Sequence, residues 1–234
     1  MSIAEKLTTV AENMPKVYEA GQSAEYNSFW DSFISKSSIG YAVYFFAGPG
    51  WNDKTFRPNK DLVFTNACTG LMRATNIGNL KKCLEDCGVN FDTSEATNLS
   101  YAFAYGAFKY LPKISVASAG NKTEYLCGET DTSNRLIWID EVEVAETSTF
   151  VSSFNYCKQL EHAIFTGTLA SNGLDLHWST KLDKESLLSI INILQDRVSL
   201  GLSGTRTVTL GSENLAKITD AEKAIATQKG WTLV

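Results

Sequence analysis

The side chains in this sequence that could ligate a metal or act as nucleophile and base are five cysteines and two histidines. Cys83 and Cys87 stand four apart, so on a helix both fall on one face. That spacing admits a metal or redox pair, or two small buried apolar side chains. A closed tetrahedral site needs two further ligands at compact spacing, and only His162 and His177 are on offer, far along the chain. Packing is therefore the expected role of these two cysteines and of Cys68, Cys127 and Cys157. Neither histidine comes with a paired nucleophile or acid. Glu141 and Glu143 alternate on the exposed side of a strand, and Gly48-Pro-Gly50 lacks the Lys and helix that a phosphate loop requires. No Ser/His/Asp set and no metal set can be assembled. The expectation is a non-enzyme without catalytic residues, cofactor or metal.

The elements around these residues divide the chain into four parts. Residues 1–38 read as a helical arm. Ile3, Leu7, Val10, Met14, Val17, Gly21 and Ala24 follow one another at alternating steps of four and three, the a/d spacing of a heptad seam. Phe29, Trp30, Phe33 and Ile34 then thicken the apolar face where the arm would dock. Pro15 kinks this helix or restarts it, with Asn13 as cap. Two readings stay open: a self-associating seam, or an arm folded back on its own body. Residues 39–61 form a connector, with a strand candidate at Tyr41–Phe46, a Gly-Pro-Gly turn, and aromatic anchors Trp51 and Phe56.

Residues 62–178 carry self-similarity. Asn66-Ala-Cys68-Thr-Gly-Leu71 and Asn155-Tyr-Cys157-Lys-Gln-Leu160 share N-x-C-x-x-L. An apolar triplet with steps of three and two recurs as Leu111, Ile114, Val116, as Ile139, Val142, Val144, and more weakly as Leu160, Ala163, Phe165. Tyr105 and Phe154 stand six residues ahead of two of these triplets. Strand candidates also occur at Leu62–Phe64, Val89–Phe91 and Leu174–Leu176. Such a pattern suits short strands stacked into a shared sheet, with alternate residues pointing inward and Ser115 and Glu143 outward. No unit can bury its apolar face alone, so the units must stack. The expected class is α/β, a degenerate leucine-rich-repeat-like solenoid with an N-terminal helical arm and a βαβ C-terminal cap. Its repeat core comprises Cys68, Leu71, Leu111, Ile114, Val116, Ile139, Val142, Val144, Phe154, Cys157 and Leu160.

Residues 179–234 switch period. Leu182–Val198 reads as an amphipathic helix capped by Asp183, with Leu187, Ile190, Ile191 and Leu194 on one face. Thr207–Leu210 reads as a strand, Thr219-Asp-Ala-Glu222 has capping-box spacing, and Trp231–Val234 is a closing strand.

Hydrophobic residues make up 44 % and charged residues 20 %, ordinary globular usage that predicts a packed core. The net charge of −5, without a Lys/Arg cluster, argues against nucleic acid. No apolar run is long enough to span a bilayer, so no membrane insertion is expected. The opening residues lack the apolar core of a signal peptide.

Phe154-Asn-Tyr-Cys157-Lys-Gln-Leu160, followed by spaced β-formers, resembles the BspA-like (treponemal-type) leucine-rich repeats. Three further segments resemble proteins of gut-bacterial phages and prophages. These are Ile3-Ala-Glu-Lys-Leu-Thr-Thr-Val-Ala-Glu-Asn13 with Lys16-Val-Tyr-Glu-Ala-Gly21, then Glu25-Tyr-Asn-Ser-Phe-Trp-Asp31, then Trp178-Ser-Thr-Lys-Leu-Asp-Lys-Glu-Ser186. The sequence departs from the repeat pattern at Ile139, which has no Cys three residues before it. The resemblance implies a particle or surface component and carries over no catalytic residues. It predicts a fibre, decoration or tail-associated protein of a bacteriophage, assembled into the virion in the host cytoplasm. Its partners would be other virion proteins or further copies of itself, as a homo-oligomer such as a trimer, and a host-surface protein or glycan. A BspA-type bacterial surface adhesin and an intracellular interaction scaffold are the alternatives, and the missing signal peptide favours the phage reading.

Overall fold

The computed structural model describes residue 42, residues 44–128 and residues 135–234. The arm and its expected seam of Ile3, Leu7, Val10, Met14 and Val17 lie outside the described residues. Among those described, the order is β1 (Leu62–Ala67), α1 (Leu80–Cys87), β2 (Phe91–Asn98), β3 (Tyr110–Leu111), β4 (Ile114–Ser115), β5 (Trp138–Val144) and β6 (His162–Gly167). There follow α2 (Lys184–Ile193), β7 (Arg206–Val208), α3 (Ser212–Leu215), α4 (Asp220–Gln228) and β8 (Trp231–Leu233). Every strand pairing is parallel: β1 with β2, β3 and β4 with β5, β5 with β6, and β7 with β8. Parallel neighbours require the chain to return to the same end each time.

The returning turns are stacked as well as the strands. Ala42, Tyr44 and Phe46 donate their backbone N–H groups to the carbonyls of Ala67, Thr69 and Leu71. Cys68, Gly70 and Met72 donate in turn to Asn98, Ser100 and Ala102, and Leu99, Tyr101 and Phe103 to Lys122, Glu124 and Leu126. Tyr125 and Cys127 continue to Val151 and Ser153. This ladder aligns a column of residues with left-handed backbone: Tyr44 (φ 53°), Gly70 (63°), Tyr101 (59°), Tyr125 (52°) and Ser152 (52°). Four residues further on runs a second such column, Gly48, Ala74, Tyr105 and Tyr156. Left-handed backbone costs a non-glycine residue roughly 1–2 kcal/mol. Ring contacts offset part of it. Tyr101 and Tyr125 stack with centroids 5.0 Å apart, and the Arg73 guanidinium lies over both Tyr101 and Tyr105 at 5.3 and 5.1 Å. Gly70 lets the Tyr44 ring lie on the backbone, since a Cβ there would fall 2.4 Å from it.

The core runs through the stack. Cys68, Leu71, Leu111, Ile114, Val116, Ile139, Val142, Val144, Phe154, Cys157 and Leu160 are all buried. Leu111 pairs with Ile139 and Ile114 with Val142, so the first two triplets lie one above the other. The third is offset. Ile139 pairs with Ala163 and Val142 with Phe165, because a bulge in β5 takes up three steps where β6 takes two. Leu160 therefore precedes the stacked pair. Cys68 and Cys157 are also out of register: Cys68 lies two residues before its left-handed Gly70, whereas Cys157 directly follows left-handed Tyr156.

Other expectations need correction. Tyr44–Phe46 is a turn rather than a strand, and Leu174–Leu176 contributes a single bridge, Asp175 to Thr209. Ser115 does not face solvent; it is 4 % exposed. The Thr93 hydroxyl accepts from its N–H at 2.9 Å and donates to its carbonyl at 2.8 Å, joining β2 to β4. The expected helix Leu182–Val198 is shorter, because Leu194 is extended and bridges Leu169. The free edge of β6 is closed by two hydroxyls of α2: Ala163 N–H donates to Ser186 Oγ at 2.9 Å and Phe165 N–H to Ser189 Oγ at 3.0 Å. The Thr219–Glu222 capping box is present at the start of α4.

Gly167 has φ 91°, and a Cβ there would lie 2.0 Å from the Val144 carbonyl oxygen. Gly167→Ala should cost more than about 2 kcal/mol, strain plus a backbone clash, whereas Gly88→Ala, with open space around its Cβ, should cost about 1. Urea denaturation of both variants measures the difference; equal losses would contradict the clash. In the same assay Val142→Asp should abolish folding, since it buries an unpaired charge. Glu143→Ala should lose no more than about 1 kcal/mol, the worth of a half-exposed ion pair with Lys113.

Candidate functional site

The register that stacks Leu111, Ile139 and Ala163 inside sets the residues just before them in a row outside. Tyr110 pairs with Trp138 and Trp138 with His162, and Asn79, at the start of α1, bridges to Tyr110. Tyr110 is 36 % exposed and Trp138 half-buried. His162 is only 7 % exposed, because its ring lies flat on the Trp138 indole, with centroids 3.8 Å apart and planes 15° from parallel.

Two of the rings, Trp138 and His162, are held from behind. Trp138 Nε1 donates to Asp140 Oδ1 at 2.8 Å, and Lys81 Nζ contacts the same oxygen at 2.9 Å. His162 Nδ1 donates to Asp183 Oδ2 at 2.6 Å, while the other Asp183 oxygen caps α2 by accepting from Ser186 N–H at 2.7 Å. Burial pushes the Asp183 carboxyl up, but the hydrogen bonds from His162 and Ser186 outweigh it, so the group sits below the usual carboxylate range. The hydrogen bond with Asp140 raises the Lys81 ammonium above its ordinary value. Beside this row, Lys113 bridges Glu141 and Glu143 at 3.0 Å each, and Thr166 donates to Glu141 at 2.6 Å. Burial raises the Glu141 carboxyl, and the bonds from Thr166 and Lys113 bring it below the ordinary range.

Three clefts of about 320–480 Å³ follow the row and share its members: Trp138 lines two of them, and Tyr110 and Asn79 line two. The arrangement offers aromatic surface flanked by paired charges. Among the described residues, the imidazole of His162 is hydrogen-bonded to Asp183 and stacked on Trp138.

His162 is thus brought into the row, whereas His177 lies elsewhere, bonded to Asp175 at 2.6 Å and packed on Trp178. Cys83 is buried and Cys87 half-buried on α1. Burial pushes the Cys83 and Cys68 thiols up to about 11, which keeps both protonated and unreactive near neutral pH. No group of three or more metal-ligating side chains occurs among the described residues. Cys157 Sγ lies 3.2 Å from the Cys127 carbonyl, so a serine at this position would have an acceptor. The sequence reading passed over Tyr110, Trp138 and Asp140. The signal for them is positional, a ring directly before the first inward residue of each stacked strand. No protein-family model, curated protein or solved structure matches the chain.

Asp183→Asn keeps a capping side chain but removes the charge that holds His162. A carboxyl lowered in the folded state stabilises above its unfolded value and loses that contribution as the pH falls through the folded value. The variant should therefore melt below the parent protein at pH 7, with the gap closing as the pH falls below about 4. A gap that persists unchanged at pH 3 would show that the charge is not the cause.

Proposed function

We propose that this protein is a binding component of a bacteriophage particle, a fibre, decoration or tail-associated protein, and that the row of Tyr110 and Trp138, backed by the buried His162, is the face it presents. The observation that carries the binding part is the immobilisation of two of these rings: Asp140 fixes Trp138 and Asp183 fixes His162 before any partner arrives. Pre-ordered aromatic side chains lose little entropy on contact and are common at energetic centres of interfaces. The parallel stacking of strands and turns supports reading the body as a degenerate leucine-rich-repeat-like solenoid with a rigid outer surface. The virion part is supported by the resemblance of the chain ends and the repeat to phage-encoded proteins. Among the described residues no helix is long and apolar enough to cross a membrane.

Mass spectrometry of gradient-purified particles from the producing culture tests the virion reading. The protein should co-purify with them at constant stoichiometry; abundance in the lysate with absence from the particles would overturn the reading. In the same proposal the arm, with its seam of Ile3, Leu7, Val10, Met14 and Val17, mediates assembly. Light scattering should find an oligomer for the full chain and a folded monomer once residues 1–38 are removed. A monomeric full chain would exclude self-association through this seam.

A further inference from the structure

We propose that the cleft between the Trp138 indole and Tyr110 seats a single neutral pyranose residue, such as the end or a branch of a glycan. This rests on reading the row as a binding face and names what that face would take. β5 lies between β3 and β6. His162, on β6, covers one face of the indole. The opposite face therefore looks toward β3, where Tyr110 stands one strand away. The cleft on that side is open to solvent, has a volume of about 320 Å³ and is lined by Trp138, Tyr110, Asn79, Lys81, Lys82 and Glu85. This is the small end of the range for ligand sites and suits one ring rather than an extended chain.

The wall chemistry selects the occupant. An indole face is electron-rich and attracts the polarised axial C–H groups of a pyranose. It cannot swing aside, because Asp140 holds its Nε1 and His162, fixed by Asp183, backs it. Around it stand hydrogen-bond donors and acceptors. The Asn79 oxygen is taken by the cap of α1, through Lys82 N–H, which leaves its amide nitrogen as a donor. Glu85 supplies acceptor oxygens. The ammonium groups are already balanced, Lys81 by Asp140 at 2.9 Å and Lys82 by Asp86 at 2.6 Å. An anionic sugar or phosphate would meet Glu85 with no spare cation in the wall. A flat aromatic side chain would use the indole alone and gain nothing from Asn79 and Glu85.

The test uses the full chain, the methyl glycosides of glucose, galactose, mannose, rhamnose, N-acetylglucosamine and N-acetylgalactosamine, and two comparators, methyl glucuronide and N-acetyltyrosinamide. The indole N–H resonance of Trp138, assigned by its loss in Trp138→Phe, reports occupancy. At least one neutral glycoside should shift it saturably, Tyr110→Ala should weaken that binding by about tenfold or more, and calorimetry, which needs no indole reporter, should find the same loss for Trp138→Ala. Where Trp138→Ala fails to fold, Tyr110→Ala and Lys81→Met, which alter exposed side chains, decide. The proposal is overturned by an unshifted Trp138 across the neutral panel, by tighter binding of either comparator, or by binding indifferent to these substitutions. Loss of the sugar seat with the protein still found in particles would leave the virion reading standing. Sugar binding by a protein absent from particles would remove only the virion reading.

Discussion

Everything in this structure depends on one constraint: the backbone N–H of each layer donates to a carbonyl of the layer beside it, turns included. A layer hydrogen-bonded in this way must copy the backbone angles of its neighbour. Once one turn adopts left-handed backbone, the next must follow, whatever side chain it carries. This explains why Tyr44, Tyr101, Tyr125 and Tyr156 occupy conformations that glycine or asparagine would take at lower cost. The strain is inherited from the ladder, and the ring stacks and the cation over Tyr101 and Tyr105 offset part of it.

The outer face follows from the same register. Burying Leu111, Ile139 and Ala163 in one column requires the residue before each to point the other way, so Tyr110, Trp138 and His162 line up without any further instruction. Asp183 then couples this row to the end of the body. One carboxylate caps α2, holds His162, and thereby braces Trp138. A change at the helix start would be felt at an indole on another strand.

The inward residues were legible in the sequence because burial imposes alternation, and the starts of α2 and α4 because Asp183 and Thr219 carry capping chemistry. The turn geometry was not legible. Tyrosine is an unusual residue for left-handed backbone, so its recurrence carries no turn signal in the sequence. The shared N-x-C-x-x-L pattern misled for a related reason: Cys68 and Cys157 are both small and buried, yet occupy different points of the turn. The bulge in β5 hid the true partner of Ile139, and the burial of Ser115 depends on Thr93, a residue remote in sequence. The row at Trp138 escaped notice because its members are a tyrosine, a tryptophan and a histidine, three residue types that share a shape but no single motif.

The two serine hydroxyls that close the edge of β6 give the body a direction of growth. Ser186 and Ser189 fill the positions that the carbonyls of another strand would take at Ala163 and Phe165, so a strand cannot pair with β6 at those two positions. Layers between Tyr44 and β6, by contrast, present matching donors and acceptors on both sides. A duplicated or deleted turn in that interval would find partners waiting.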